Sequence, residues 1–309
     1  MGCSNSKYRS FSKRLNVSTY KGEIIQKERV NPEVYVISDR TNAICGRMPN
    51  QINGQQFRIK NCKDSYLYVF DFVNTVTVDN CSNCTIVFGA VKTSIFIRYC
   101  NDCVILAACQ QFRVRDSKNI TAFIAAVSEP IIETSSSIHF APFQLSYPQL
   151  NVQFRAAGLN QFNCSYSSVH DFSARGNTPR NYDFLEPSTC INDHVLLPQH
   201  LDLTGRTLSG EDVLQRLKSL QASLDPVLSI VPPTYSGLLI DPAPEGAFSL
   251  LGLFSHVGVE DNARLIIKYL YGLSIYLVRS RCLQYNREDI TRIFGDSTLA
   301  QHSELGNFS

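Results

Sequence analysis

The chain has 309 residues, 44% hydrophobic, 18% charged and 10% aromatic, with no Trp. That is enough for about two domains and a sizeable core, and it excludes a disordered, collagenous or coiled-coil chain. A net charge of +2 gives no electrostatic footprint for nucleic acid, and no apolar run is long enough to predict a membrane-spanning helix or a secretory signal.

Residues 1–34 read as an acylated basic arm. Met1-Gly2-Cys3-Ser4-Asn5-Ser6 fits the N-myristoylation pattern, with Gly2 as acceptor once Met1 is removed. Cys3 beside it is placed for palmitoylation. One myristoyl chain binds membranes only marginally, so stable anchoring takes a second signal. Cys3 is one such signal. The other is the run Lys7, Arg9, Lys13, Arg14 and Lys21, which precedes the first acid, Glu23. Each cation adds about 1 kcal/mol of attraction to an anionic leaflet. Through residue 30 the balance is +5, which leaves −3 for the remainder.

From residue 35 the text becomes periodic. Cys62, Cys81 and Cys100 are evenly spaced, and Cys84 and Cys103 keep the same interval. Around them recur Asn61-Cys62-Lys63-Asp64, Asn80-Cys81-Ser82-Asn83-Cys84 and Tyr99-Cys100-Asn101-Asp102-Cys103, with a looser copy at Arg115-Asp116-Ser117-Lys118-Asn119. Between these corners lie short β-rich runs: 66–70, 76–78, 85–88, 94–97, 104–106 and 120–124. A period of about 20 residues, built from strands and turns, predicts a β-solenoid whose coils bury their apolar faces by stacking.

Cys81-x-x-Cys84 and Cys100-x-x-Cys103 fit the spacing of a four-cysteine zinc site. The repeat explains the same positions, and Ser65 replaces the second cysteine in the Cys62 coil. With no export signal, the 11 cysteines read as reduced thiols rather than disulfide staples, the chain reads as cytoplasmic, and no metal is expected.

The next strand, Gln110 to Asp116, breaks the apolar pattern. Alternation sets Gln111, Arg113 and Arg115 on one face. Two guanidiniums on one strand would make a costly core. They read either as a solvated sheet face or as a rigid presenter of a forked cation able to meet phosphate oxygens.

The segments Gln51–Lys60, Ala108–Asp116, Pro130-Ile131-Ile132-Glu133 and His170-Asp171-Phe172, with the cysteine-cornered coils, resemble the tubulin-binding cofactor C domain family. The acylated start resembles one lipid-anchored branch of it. The resemblance spans roughly residues 1–175, and residues 35–175 would be the domain. It implies a right-handed parallel β-helix that activates a GTPase in trans, the target being an Arf-like small GTPase in the acylated branch and tubulin in cofactor C. By motif, Arg113 would be the arginine finger and Gln111 its support. Glu133 and Phe172 would lie at the partner interface, with Arg115 beside them. GTP and magnesium would be held by the partner, so no cofactor of its own is expected. It further implies a place on the cytoplasmic face of the cell membrane, at the ciliary base, and a role in protein trafficking. The alternative is a non-catalytic adaptor or tubulin-folding cofactor that uses the same surface.

Residues 176–208, with Gly176, Pro179, Pro187, Pro198 and Gly205, read as a linker. Residues 209–309 read as a small α+β domain. In it, Val213, Leu217, Leu220 and Leu224 mark one helix, 237–240 and 247–251 strands, Asp261 to Tyr271 a second helix, and Ser274 to Val278 a strand. Asn286 would cap a last helix, with Asp289 as its capping partner. The acylated branch carries a nucleoside-diphosphate-kinase-like domain here. His256 lacks the neighbours of that kinase motif and reads as structural. The fold expected overall is mainly β, a parallel β-helix followed by a small α+β domain.

Overall fold

A computed structural model describes residues 32–174, 179–186, 189–210, 212–234, 249–254, 257–284 and 287–295. Gly2, Cys3, His256, Asn286 and the strand expected at 237–240 lie outside them. The described chain is a parallel β-solenoid. Its strands are β1 (Val36–Ser38), β2 (Ala43–Arg47), β3 (Phe57–Lys60), β4 (Tyr66–Val69), β5 (Val76–Asp79), β6 (Thr85–Arg98) and β7 (Asn101–Arg115). They continue with β8 (Lys118–Ala126), β9 (Ile131–Glu133), β10 (Ser136–Pro142), β11 (His170–Asp171), β12 (Tyr182–Phe184) and β13 (Thr207–Leu208). The helices are α1 (Leu150–Ala157), α2 (Val213–Ser219), α3 (Val259–Gly272) and α4 (Arg287–Phe294).

Two walls run the length of the stack, and every strand pair is parallel. One wall is β1, β3, β5, the second halves of β6 and β7, then β9 and β11. The other is β13, β2, β4, the first halves of β6 and β7, then β8, β10 and β12.

The polar repeats make the corners. Asp39, Asn61, Asn80, Tyr99 and Asp116 have positive φ at one corner, and Asn42, Asp64, Asn83, Asp102 and Asn119 at the next. Asn and Asp enter this left-handed region at least cost after glycine. Their side chains also ladder between coils: Asn61 donates to Asp39 at 2.8 Å, Asn80 to Asn61 at 3.1 Å, and Asn83 to Asp64 at 2.7 Å.

The cysteines follow these corners as stacked rungs. Each Sγ donates to the carbonyl two residues back: Cys62 to Lys60 (3.4 Å), Cys81 to Asp79 (3.5 Å) and Cys100 to Arg98 (3.2 Å). Ser117 and Ser135 continue the row through their hydroxyls, both at 2.8 Å. At the second corner Cys84 and Cys103 bond to Ser82 and Asn101, each at 3.3 Å, and Ser65 takes the equivalent place at 2.7 Å. The spacing is thus a coil repeat of buried free thiols. Burial pushes the Cys109 thiol up, which keeps it protonated and inert.

Two apolar clusters hold the molecule. One fills the solenoid, with Ile59, Leu67, Val78, Ile86, Ile97, Ile105, Phe112 and Ile120 fully or almost fully buried. The other lies on the outer face of the second wall, where Phe70, Val87, Leu106 and Phe143 meet α1, α2 and residues 191–231. The approach is close. A Cβ on Gly89 would sit 2.1 Å from the Tyr147 hydroxyl and 2.8 Å from Gln153 Oε1. Gly89 lies where the β6–β7 register shifts between Val87 and Ala90, so a bulge and a missing side chain together admit α1.

Three expectations are corrected here. The loop-like stretch after residue 174 contains β12, whose Tyr182 and Phe184 rings pack on Phe140 at 6.3 and 6.4 Å. They cover the end of the solenoid core, which gives this short strand its reason to form. Ser274 to Val278 forms no strand, and neither do residues 249–251. Among the described residues neither segment pairs with another strand, and an apolar run alone does not make one. α3 forms close to where it was expected, whereas α2 stops at Ser219, short of the Leu220 and Leu224 expected on its face, and Gln221 turns the chain there with φ 50°.

Candidate functional site

β7 ends in the segment that presents Gln111, Arg113 and Arg115. Pleating sends Phe112 and Val114 inward, both fully buried, and the three polar side chains outward. Phe112 packs edge-on against Phe140 at 6.4 Å. The strand is thus riveted from inside, and its outer side chains inherit that rigidity.

The parallel register stacks one outer row through Arg58, Thr77, Phe96, Arg113, Ile131 and His170. The next row holds Lys60, Asp79, Arg98, Arg115 and Glu133. Phe172 follows β11, donating its backbone N–H to Ile132 at 2.9 Å. Rungs lie about 4.8 Å apart. Gln111, Arg113, Arg115, Glu133 and Phe172 are therefore brought together on one face, although they come from separate coils and lie far apart in sequence.

Three of the arginines on this face, Arg98, Arg113 and Arg115, have different surroundings. Arg98 is clamped by Asp79 through Nε (2.7 Å) and an Nη (3.0 Å), and this carboxylate pushes the guanidinium pKa further up. Arg115 meets Asp116 at 3.1 Å. Arg113 has no carboxylate within ion-pair distance among the described residues. Its Nε donates to Gln111 Oε1 at 3.1 Å, and its Cζ lies 6.0 Å from the centroid of the Phe96 ring. The stem is braced, and among the described residues the terminal amines have no hydrogen-bond partner. Such a cation can neutralise an anionic ligand brought to it.

Around it the face offers contacts of other kinds. Phe172 is 64% exposed and meets His170 edge-on at 4.3 Å. An exposed aromatic is an anchor in search of a pocket. Tyr99 (φ 54°) and Thr134 (φ 45°) hold the left-handed corners beside Arg98 and Glu133. These residue types bear strain there that Asn would not. Among the described residues no group of His, Cys, Asp and Glu is arranged to hold a metal ion.

Sequence reasoning missed Phe96 and the Arg98–Asp79 clamp. Phe96 lies one coil before Arg113, and that coil is shortened by the two register shifts, between Val87 and Ala90 and between Val91 and Ser94. Counting along the chain at the even interval of the cysteines passes over it.

The family model described as Tubulin binding cofactor C matches residues 54–172, the coils that carry this face. The chain is 35% identical over 269 residues to Protein XRP2 of Homo sapiens, covering 87% of this chain and 72% of that one. It is 34% identical over 273 residues to Protein XRP2 of Xenopus laevis, covering 88% and 72%. Tubulin-specific chaperone C of Homo sapiens is 35% identical over 114 residues, 36% of this chain and 33% of that one.

Proposed function

Because the chain belongs to the tubulin binding cofactor C family, with the Protein XRP2 proteins among its relatives, we propose that it is a GTPase-activating protein supplying Arg113 in trans to an Arf-like small GTPase. The observation that carries this reading is the braced guanidinium of Arg113 on a packed strand, with no ion-pair partner among the described residues. Negative charge shifts on the phosphoryl oxygens as the bond to the leaving phosphate breaks, and a positioned arginine offsets it for about 10³–10⁵ in rate. Gln111 holds Nε, so the Nη groups remain for those oxygens. Arg115, Glu133 and the exposed Phe172 ring make the docking contacts. The chain has no Gly-x-x-x-x-Gly-Lys loop of its own, in keeping with GTP and magnesium residing on the partner.

The match to Tubulin-specific chaperone C favours tubulin as a second partner class, bound through the same face. Single-turnover GTP hydrolysis by purified Arf-like GTPases and by tubulin, with and without this chain, separates the two. Acceleration of an Arf-like GTPase supports the reading. Acceleration of tubulin alone moves the function to tubulin, and acceleration of neither leaves an adaptor.

The anchor at Gly2 and Cys3 would keep this activity on the cytoplasmic face of a membrane, in the service of protein trafficking. Gly2→Ala removes the amine that accepts myristate, and Cys3→Ser leaves a single chain, which holds only weakly. Membrane association should therefore fall from wild type to Cys3→Ser to Gly2→Ala. The basic arm alone is screened beyond about 8 Å at physiological salt. Fractionation of cells expressing the three forms checks this order. Wild-type membrane retention of Gly2→Ala would remove the lipid anchor.

A further inference from the structure

We infer that Phe96 is a positioning residue for Arg113, the platform that holds its guanidinium in the orientation set by Gln111; this rests on Arg113 being the arginine finger. The ladder dictates the contact. Phe96 is the register partner of Arg113 on the preceding coil, so its half-buried ring stands one rung away on the same outer face. The ring centroid is 6.0 Å from Arg113 Cζ, within range of a cation–π contact. On the other side the register partner is Ile131, which is apolar. The rungs on either side of Arg113 thus carry a ring and an aliphatic residue, and its Nε is tied to Gln111 at 3.1 Å.

The neighbouring row shows what a different choice would do. There the register partners of Arg98 are Asp79 and Arg115, and Asp79 neutralises Arg98 in a two-point clamp. A carboxylate in place of Phe96 would bind Arg113 in the same way and spend its charge within the chain. An aliphatic residue would fill the space but exert no pull on the cation. A ring orients the arginine through its quadrupole and leaves the charge for the ligand. Because the contact acts on the conformation of the finger and not on the docking surface, it should be felt in the rate of the chemical step and scarcely in affinity.

The test has two arms. In the first, stimulated single-turnover hydrolysis is measured across concentrations of this chain. Phe96→Leu and Phe96→Met should lower the maximal rate roughly threefold to tenfold, with the half-saturating concentration within about twofold of wild type, whereas Phe96→Tyr should keep the wild-type rate. The second arm needs no partner. In the isolated full chain, the Arg113 Nε–Hε resonance should lie upfield, under the ring current of Phe96, and exchange slowly with water. The upfield shift should persist in Phe96→Tyr and vanish in Phe96→Leu. An Arg113 resonance at the ordinary position in wild type, or wild-type rates in Phe96→Leu, would overturn the assignment. Should Arg113→Ala itself keep full stimulation, the finger reading fails, and the resonance alone decides whether Phe96 holds Arg113.

Discussion

Arg113→Ala is expected to abolish stimulated GTP hydrolysis, a loss of about 10³–10⁵ in rate, or roughly 4–7 kcal/mol of barrier. The fold should survive. Arg113 points away from a core in which its neighbours Phe112 and Val114 are fully buried, and it makes no ion pair among the described residues whose loss would strand a charge. Unfolding should therefore occur within about 0.5 kcal/mol of wild type, as for other surface changes. Binding to the GTP-loaded partner should weaken only modestly, because Arg115, Glu133 and Phe172 remain. Arg113→Lys should restore little. An ammonium has no planar fork, cannot donate to Gln111 and reach a phosphate together, and loses the flat face that lies over Phe96. Rate, affinity and stability measured on one preparation separate these claims. Full stimulation by Arg113→Ala would end the finger assignment.

The second large effect concerns stability. Asp71 is 3% exposed, and its carboxylate accepts backbone N–H groups from Asn50 (3.0 Å), Ile52 (2.6 Å), Asn53 (2.9 Å) and Phe72 (2.9 Å). It fastens the 48–54 loop to the end of β4. Gly54 completes that loop with φ +79°, and a Cβ there would lie 2.7 Å from the Phe72 ring. Asp71→Ala strands several donors, the Ile52 N–H among them in a buried position. At about 1–3 kcal/mol for a buried donor, with partial rescue of the outer ones by water, the loss should be about 2–4 kcal/mol. For a chain of this size that is a fall of roughly 3–6 °C in Tm. Asp71→Asn keeps one carbonyl oxygen and should lose about half as much. Thermal unfolding of the three forms checks it, and a wild-type Tm for Asp71→Ala would contradict the clamp.

The solenoid was readable because its corners impose chemistry on the sequence. A left-handed residue is needed at the same place in each coil, so Asn61, Asn80, Asp64 and Asn83 recur on the period, and the buried Cys81, Cys84, Cys100 and Cys103 recur beside them. The common face of Gln111, Arg113 and Arg115 was readable from alternation within one strand. Glu133 and Phe172 were not, because their nearness to Arg113 depends on inter-coil register, and they entered only through the resemblance. Phe96 stayed hidden for a related reason: the shifts between Val87 and Ala90 and between Val91 and Ser94 change the coil length just where the site is built. β12 was obscured by the prolines and glycines around it, since three residues suffice when Tyr182 and Phe184 have the Phe140 ring to cover. Ser274 to Val278 misled in the opposite direction. Its run of Ile275, Tyr276, Leu277 and Val278 is apolar enough for a strand, but Ile275 and Tyr276 remain about half exposed, and no strand pairs with them among the described residues.

The most direct test of Arg113 acting in trans uses a mimic of the transferring phosphoryl group. An Arf-like GTPase loaded with GDP, with and without aluminium fluoride, is titrated with this chain and with Arg113→Ala. A residue that acts on the transition state binds its mimic more tightly than the ground state, by about 100-fold or more. Wild type should therefore bind the fluoride complex at least about 100-fold more tightly than the GDP form. Arg113→Ala should bind both alike. Equal tightening in the two proteins would contradict the account.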